Sequence, residues 1–331
     1  MHYRQFGRTG WKVSEIGYGM WGMGGWTGSE DAESLESLQR AVDLGGNFFD
    51  TAFAYGDGHS EQLLGKILRA NAGKPNVGGP DKKLYAATKI PPKNRKWPSR
   101  REYSLDDCYP PDYIDQYVEK SLKNIGAPAI DLIQFHTWED KWLDDKRLRP
   151  AIEKLRSSGR VRAVGISLNR WEPWNGVRAV REGVVDTVQV IYNIFDQNPE
   201  DQLFPACREN KVAVIARVPF DEGSLTGSLT LDSKWPKGDW RNTYFVPENL
   251  KATIERVEKL KSLPHGGVGM AEMALRFILN NPDVSTIIPG MRKRANVEAN
   301  VGASEAGALP MPLHTELRKH RWDRTPTKWS Q

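Results

Sequence analysis

The sequence predicts an α/β protein, a (β/α)8 TIM barrel with an N-terminal β-hairpin and long loops on the face where its strands end. Short apolar β-like runs alternate with amphipathic helical stretches about eight times along 331 residues. That alternation calls for a parallel sheet with crossover helices, which loses its edges on closing into a barrel. Three of the runs end in ionisable residues, at Asp50, Lys89 and His136, and Tyr55 follows Asp50 by one turn's worth of loop. All strand C-termini of such a barrel open on one face, so these four groups meet there.

Each element has its own local cause. The turn-rich GRTGWK reads as the bend of the hairpin, and VSEIGYG as the first barrel strand. Residues 31–45 read as helix: Leu35, Leu38 and Val42 share a face, Glu30, Asp31 and Glu33 favour the start, and Gly45 ends it. NFFDTA is the second strand, and the helix from Ser60 carries Leu63, Leu64, Ile67 and Leu68 on one stripe. KLYAATK is the third; after a long loop comes a helix with Ile114, Tyr117, Val118, Leu122 and Ile125 in register. DLIQFH, VRAVGIS, DTVQVI and VAVIAR supply strands four to seven, with helices around 148–158, 173–183, 199–210 and 248–262. A helix near 269–280 precedes the last strand, STIIPG.

Three connections are too long to be tight: NAGKPNVGGPD, residues 91–110 and residues 228–246. The last two follow strands three and seven, on the catalytic face, where loops of this length act as lids or binding loops. With no repeat, low-complexity tract or linker, residues 1–331 read as a single domain.

Composition narrows the class. The net charge of +5 is dispersed over 47 basic and 42 acidic residues, which does not indicate a nucleic-acid partner. Cys108 and Cys207 stand about a hundred residues apart with no CxxC, arguing against a disulfide framework or a zinc site and fitting a reducing compartment. The segment MHYRQFGRTG has no apolar core of a signal peptide, and no stretch approaches the length of a membrane span. The expectation is cytoplasmic, with no membrane partner and no metal.

The four convergent groups suit proton delivery to a carbonyl. A phenol, with an ordinary pKa near 10, is a weak acid at neutral pH. A neighbouring ammonium lowers that value, and a carboxylate beside the ammonium fixes its position. Tyr55 is therefore the expected acid, Lys89 tunes it, Asp50 holds Lys89, and His136 hydrogen-bonds the carbonyl oxygen.

The segments D-x-A-x-x-Y (Asp50 to Tyr55, continuing YGDGHSEQLLGK), TK at Lys89 and QFH at His136 resemble the aldo-keto reductase superfamily. The resemblance runs from YRQFGRTGWKVSEIGYG to STIIPGMRKRANVEAN. It implies a (β/α)8 barrel that transfers hydride from NADPH to aldehydes and ketones, with Asp50, Tyr55, Lys89 and His136 as catalytic tetrad and a small carbonyl compound as partner. Ser167 and Gln189 match positions that hold the nicotinamide amide, although Leu168 separates Ser167 from Asn169 where the family has Ser-Asn adjacent. Arg217 stands where strand seven usually ends in an aromatic that stacks on the nicotinamide. A planar guanidinium stacks too, but it opposes the positive oxidised ring, so Arg217 is expected to weaken NADP+ binding relative to NADPH. VPFDEGSLTG resembles the loop over the pyrophosphate, bringing Phe220, Gly223, Leu225 and Gly227 into the cofactor site. IPGMRKRANVEAN resembles the adenosine site, with Gly290, Arg292, Asn296 and Asn300 as its contacts and Lys293 and Arg294 adding charge at a helix start. NADPH/NADP+ is the expected cofactor. By position Trp21, Trp26 and Trp138 form an apolar substrate wall, and Tyr103, Trp235, Trp240 and Tyr244 on the long loops help to shape the pocket.

Competing signals are weaker. Gly17-Tyr18-Gly19-Met20-Trp21-Gly22 fits a dinucleotide fingerprint, but helical periodicity begins only near residue 31, too late for a Rossmann turn. KNRKWPSRR mixes cations with Trp97, as single-strand binders do, and reads better as a solvated active-site loop. A lyase working through a Schiff base on Lys89 needs a neutral amine, which Asp50 disfavours. The alternative function is a nucleotide-sensing binding subunit resembling potassium-channel β subunits, with little turnover; the intact tetrad speaks against it.

Overall fold

The computed structural model describes residues 1–25, 28 and 30–324. Strands β1 (Tyr3–Gln5) and β2 (Lys12–Ser14) form the antiparallel hairpin. The barrel strands are β3 (Tyr18–Gly19), β4 (Phe48–Asp50), β5 (Tyr85–Ile90), β6 (Ile130–Phe135), β7 (Val161–Ser167), β8 (Thr187–Ile191), β9 (Ala213–Arg217) and β10 (Val284–Ile287). They lie in chain order, each parallel to the next. Closure is made by two parallel bridges, Ile16 to Ile287 and Gly19 to Gly290. Around the barrel run α1 (Asp31–Asp43), α2 (His59–Asn71), α3 (Leu105–Cys108), α4 (Pro111–Ile125), α5 (Leu148–Ser157), α6 (Val177–Arg181), α7 (Pro199–Asn210), α8 (Arg241–Tyr244), α9 (Pro247–Lys261), α10 (Met270–Leu279), α11 (Arg294–Glu305) and α12 (Met311–Arg318).

Helix boundaries follow local chemistry. Helix α4 starts at a proline in its first turn and stops at Gly126, whose φ of 70° lies in the left-handed region. The short α3 is capped by a reciprocal Ser104–Asp107 box. The expected helix around 173–183 contracts to five residues, because the segment before it is irregular backbone bordering the site.

The expected first strand VSEIGYG divides. Val13 and Ser14 join the hairpin, where Ser14 N–H donates to the Asn47 side chain at 2.7 Å, and only Tyr18 and Gly19 enter the barrel. The hairpin covers the N-terminal end of the barrel: Phe6, Val13 and Trp11 pack with Phe48, Tyr85, Leu132, Ala163 and Ala213, residues at the beginnings of the strands. The period of two along each strand then decides what lies above that plug. Phe48 is followed inward by Asp50, Tyr85 and Ala87 by Lys89, Leu132 by Gln134 and His136, and Ala213 and Ile215 by Arg217. Apolar residues fill the lower layers, and ionisable ones form the top layer beneath the loops. The larger core lies outside the barrel, between its outward side chains and the helices. No helix among the described residues is long and apolar enough to cross a membrane.

The seam is sterically tight. A Cβ on Gly19 would lie 2.5 Å from the Ile288 carbonyl oxygen, a backbone atom that cannot swing aside. Gly19→Ala is expected to cost about 2 kcal/mol of unfolding free energy, measured by urea denaturation with an unchanged m-value; wild-type stability would show that the seam yields.

Candidate active site

The sheet register delivers the polar top layer. Lys89 is wholly buried, and its ammonium donates to Asp50 Oδ2 at 2.5 Å, to the Thr51 carbonyl at 2.7 Å and to the Tyr55 hydroxyl at 3.4 Å. All three of its protons are used. The other Asp50 oxygen, Oδ1, accepts from Gln134 Nε2 and Gln189 Nε2, both at 2.9 Å. Tyr55 arrives on the turn after β4, closed by its own N–H to the Ala52 carbonyl and by Ser60 N–H to the Tyr55 carbonyl. His136 follows β6 directly, and its ring meets the Tyr55 ring edge-on at 5.7 Å. The structure therefore brings Asp50, Tyr55, Lys89 and His136 together.

Electrostatics separate these groups. Burial acts to lower the Lys89 pKa, but Asp50 and the Tyr55 hydroxyl outweigh it and hold the ammonium above its ordinary value. Burial pushes His136 well below the ordinary histidine value, and the positive charges of Lys89 and Arg217 add to that. The site thus pairs a fixed cation with a neutral imidazole.

Above them opens a cavity of about 240 Å³. Its walls include Tyr55, His136, Ser167, Gln189 and Arg217, together with Trp97, Arg170, Trp171, Glu222, Trp240 and Tyr244. Asn169 also faces it but donates its amide to the Ser99 carbonyl at 3.1 Å, tying the loop after β5 to the loop after β7. Arg217 donates to the Leu168 carbonyl at 2.9 Å, while its buried Nε and His136 Nδ1 have no protein partner. Buried polar atoms left this way are available to a ligand with matching groups. The lining fits a nicotinamide, whose carboxamide needs both donors and acceptors.

The segment after β9 bears on the same cavity. Val218, Asp221 and Glu222 hold positive φ of 55°, 43° and 58°, backbone rarely adopted by non-glycine residues, and Gly223 follows at 105°. Ion pairs anchor the side chains of Asp221 and Glu222 in this segment. Arg324 contacts Asp196 at 2.5 Å and Asp221 at 2.9 Å, and Arg170 meets Glu222 at 3.1 Å and the Tyr244 hydroxyl at 2.6 Å. Burial raises Glu222 above the ordinary carboxylate value despite Arg170, whereas Arg324 and Arg170 overcome burial and lower Asp221. Phe220 and Leu225 turn towards the core rather than the cavity, Leu225 with no exposed surface. Any cofactor contact from Leu225 is therefore through its backbone.

At the far end, Gly290 leaves open space where a side chain would stand, and Arg292 and Lys293 precede the first turn of α11. Arg294 is already engaged by Glu36 and Glu298, at 3.4 and 3.2 Å. Asn300 is buried and Asn296 exposed on α11.

The expected tryptophan wall needs correction. Trp138 is not at the mouth; it is 1% exposed, packed on Phe135 and Trp142, with its indole N–H donating to Asp140. Trp21 stands at the rim, edge-on to Trp240 at 6.3 Å. Trp26 lies outside the described residues. Trp97 and Trp171 take the place assigned to Trp138. Trp97 had a signal, the mixed aromatic and basic loop; Arg170, Glu222 and Arg324 had none, because their partners come from distant segments.

Comparison with known proteins agrees with this geometry. The sequence profile described as Aldo/keto reductase family matches residues 15–321. The chain belongs to the aldo/keto reductase family. The Aldo-keto reductase YhdN of Bacillus subtilis is 30% identical over 305 residues, covering 90% of this chain and 87% of that one. The NADH-specific methylglyoxal reductase of Escherichia coli is 27% identical over 310 residues, covering 90% and 91%. The aldo-keto reductase AKR11C1 from Bacillus halodurans in its holo form superposes with a TM-score of 0.74 at 25% identity over the whole of both chains. The eight-stranded barrel and its hairpin are those of this aldo/keto reductase family, whose members use nicotinamide cofactors and act on carbonyl groups.

The depressed His136 pKa makes two linked outcomes. Its ring is expected to stay neutral through the ordinary histidine range, so a 1H–15N NMR titration shows no His136 inflection between about pH 5.5 and 8. Because its folded value lies below the unfolded one, its contribution to stability is full above the ordinary value and is lost as pH falls towards the folded value. An inflection near the ordinary value would contradict both.

Proposed function

We propose that this aldo/keto reductase is an NADPH-dependent carbonyl reductase in which Tyr55 is the general acid. The observation that carries this is the Lys89 ammonium between Asp50 and the Tyr55 hydroxyl. A nicotinamide cofactor, when bound, supplies the hydride. Ser167 and Gln189 would hold its carboxamide, Gly223 and Gly227 would let backbone approach the diphosphate, and Arg292 and Asn296 would meet the 2′-phosphate. Two cations at the start of a twelve-residue helix favour that phosphate. With Arg294 held by two glutamates, they carry the NADPH preference.

The chain's own groups handle the proton. Tyr55 donates to the carbonyl oxygen as negative charge develops there, and Lys89 stabilises the phenolate that remains. Asp50 keeps Lys89 charged and aimed, and the two glutamine amides keep Asp50 from rotating away. A neutral His136 offers a hydrogen bond to the same oxygen without competing as an acid. These donors are fixed before substrate arrives, so little reorganisation accompanies the reaction.

Two outcomes test the proposal. Tyr55→Phe is expected to lose about 10³-fold in kcat with an aromatic aldehyde while NADPH still binds, followed by nicotinamide absorbance and fluorescence titration; activity within a few-fold of wild type would remove Tyr55 as the acid. Arg217→Tyr is expected to shift the ratio of NADP+ to NADPH dissociation constants by roughly tenfold in favour of NADP+, and an unchanged ratio would mean that Arg217 does not sense the ring.

A further inference from the structure

Arg324 is a buried cation with no part in the proposed reaction: its side chain is 2% exposed, and it stands behind the cavity wall. Its guanidinium reaches three separate segments. It contacts Asp196 on the loop after β8 at 2.5 Å and Asp221 on the loop after β9 at 2.9 Å, and it donates to the Tyr244 hydroxyl on α8 at 2.9 Å. Two of these segments build the cavity wall, where Tyr244 and Glu222, the neighbour of Asp221, both stand.

The chain is brought to this point by contacts of its own. After α12, Arg321 donates two hydrogen bonds to Asp201, at 2.7 and 2.6 Å. Trp322 then donates its backbone N–H to the Phe195 carbonyl at 2.8 Å, and its ring contacts the guanidiniums of Arg256 and Arg324 at 4.2 and 4.6 Å. The segment is thus seated on α7 and on the loop after β8 before Arg324 turns inward.

The loop that Arg324 meets needs fastening, because backbone with positive φ at three non-glycine residues persists only where its surroundings over-determine it. Bonds from Asp221 N–H to the Val218 carbonyl and from Gly223 N–H to the Phe220 carbonyl close its turns without tying it to another segment. Asn193 ties one end, at the Val218 carbonyl. Further along, Arg170 lies 3.1 Å from Glu222 but 3.6 Å from Asp221, so the nearer cation of Asp221 is Arg324. Asp221 has no exposed surface. Without Arg324 its charge keeps only the more distant Arg170, and moving out towards water becomes favourable. Such a movement carries Glu222 and Gly223 with it.

We propose that Arg324 is a positioning residue: it latches the loop after β9 to the loop after β8 and to α8, and so holds preformed the backbone at Gly223 and Gly227 that receives the cofactor. With the latch made, the competent loop is populated before binding. Without it the cofactor has to order the loop, and apparent affinity falls with the fraction of competent loops. The cofactor half of this rests on the diphosphate placement proposed above; the latch itself does not.

Hydrogen exchange of residues 218–227 in the free protein, read by mass spectrometry, tests the latch, and NADPH titration beside kcat tests its consequence. Arg324→Met is expected to speed exchange of this loop about tenfold. It should also raise the NADPH dissociation constant about tenfold, with kcat within a few-fold of wild type. Arg324→Lys, which keeps the charge, should restore part of both. Combining Arg324→Met with Asp221→Asn separates a lost latch from a stray buried charge: the charge is gone but the loop is still untied, so exchange should stay fast. Arg321→Gln loosens the same segment away from the loop and should leave exchange and affinity at wild type. If Arg324→Met does not fold, Arg324→Lys and the double variant carry the comparison. Wild-type exchange in Arg324→Met, recovery in the double variant, or equal acceleration by Arg321→Gln overturns the latch. Fast loop exchange with unchanged NADPH affinity leaves the latch standing and removes the cofactor from this loop.

Discussion

A lysine and an aspartate with almost no contact with water, 2.5 Å apart inside a β-barrel, constrain the rest of this molecule. Neither charge is tolerable there alone; removing one partner of a buried pair leaves the other uncompensated, at a cost of about 3–5 kcal/mol. The surrounding structure therefore has to satisfy every remaining polar atom of both. It does so with the Thr51 carbonyl, the Tyr55 hydroxyl and two glutamine amides from β6 and β8. Those partners come from β6, β8 and the turn that follows β4. The pair can exist only if β4, β5, β6 and β8 hold their relative heights, and the apolar plug beneath, from Phe6 to Ile215, sets those heights.

Period two along the strands made this layer legible. Asp50, Lys89 and His136 follow an inward apolar residue by two or four positions, so placing the strands placed the charges. Tyr55 was legible because the turn after Asp50 is short. Gln134 could have been found the same way, since it shares a face with Leu132 and His136. The hairpin was legible from its turn, but the division of VSEIGYG was not. Where the chain leaves one sheet for another depends on Asn47 capturing Ser14, a contact between segments thirty-three residues apart in sequence.

The upper wall of the site was much less legible, for a different reason. Arg170, Asp196, Asp221 and Arg324 come from separate loops and from the tail, and each looks like an ordinary surface residue in its own segment. Only their assembly buries them. Trp138 was misplaced by the same limitation: three residues beyond the end of β6, a side chain can turn into the cavity or under the next helix, and packing against Trp142 decides. Spacing fixes the height of a loop residue but not its direction.

That buried cluster also shapes how an anionic cofactor can be held. Arg170 and Arg324 are matched by Asp196 and Asp221, and Glu222 stands against the charge of Arg217. The loop after β9 therefore presents no net positive charge to a diphosphate, and its acidic residues rule out attraction as the source of affinity there. What it offers is backbone, opened by Gly223 and Gly227 and held in shape by ion pairs. On the proposed placement, attraction would fall to Arg292 and Lys293 at the start of α11, at the far end of the site. One end of a dinucleotide would then be drawn by charge and the other oriented by neutral groups, the Ser167 hydroxyl and the Gln189 amide. Gln189 also touches Asp50, so the group that would orient the nicotinamide and the group that holds the proton donor's lysine are hydrogen-bonded to each other. On that proposal, cofactor placement and proton placement would share one rigid reference.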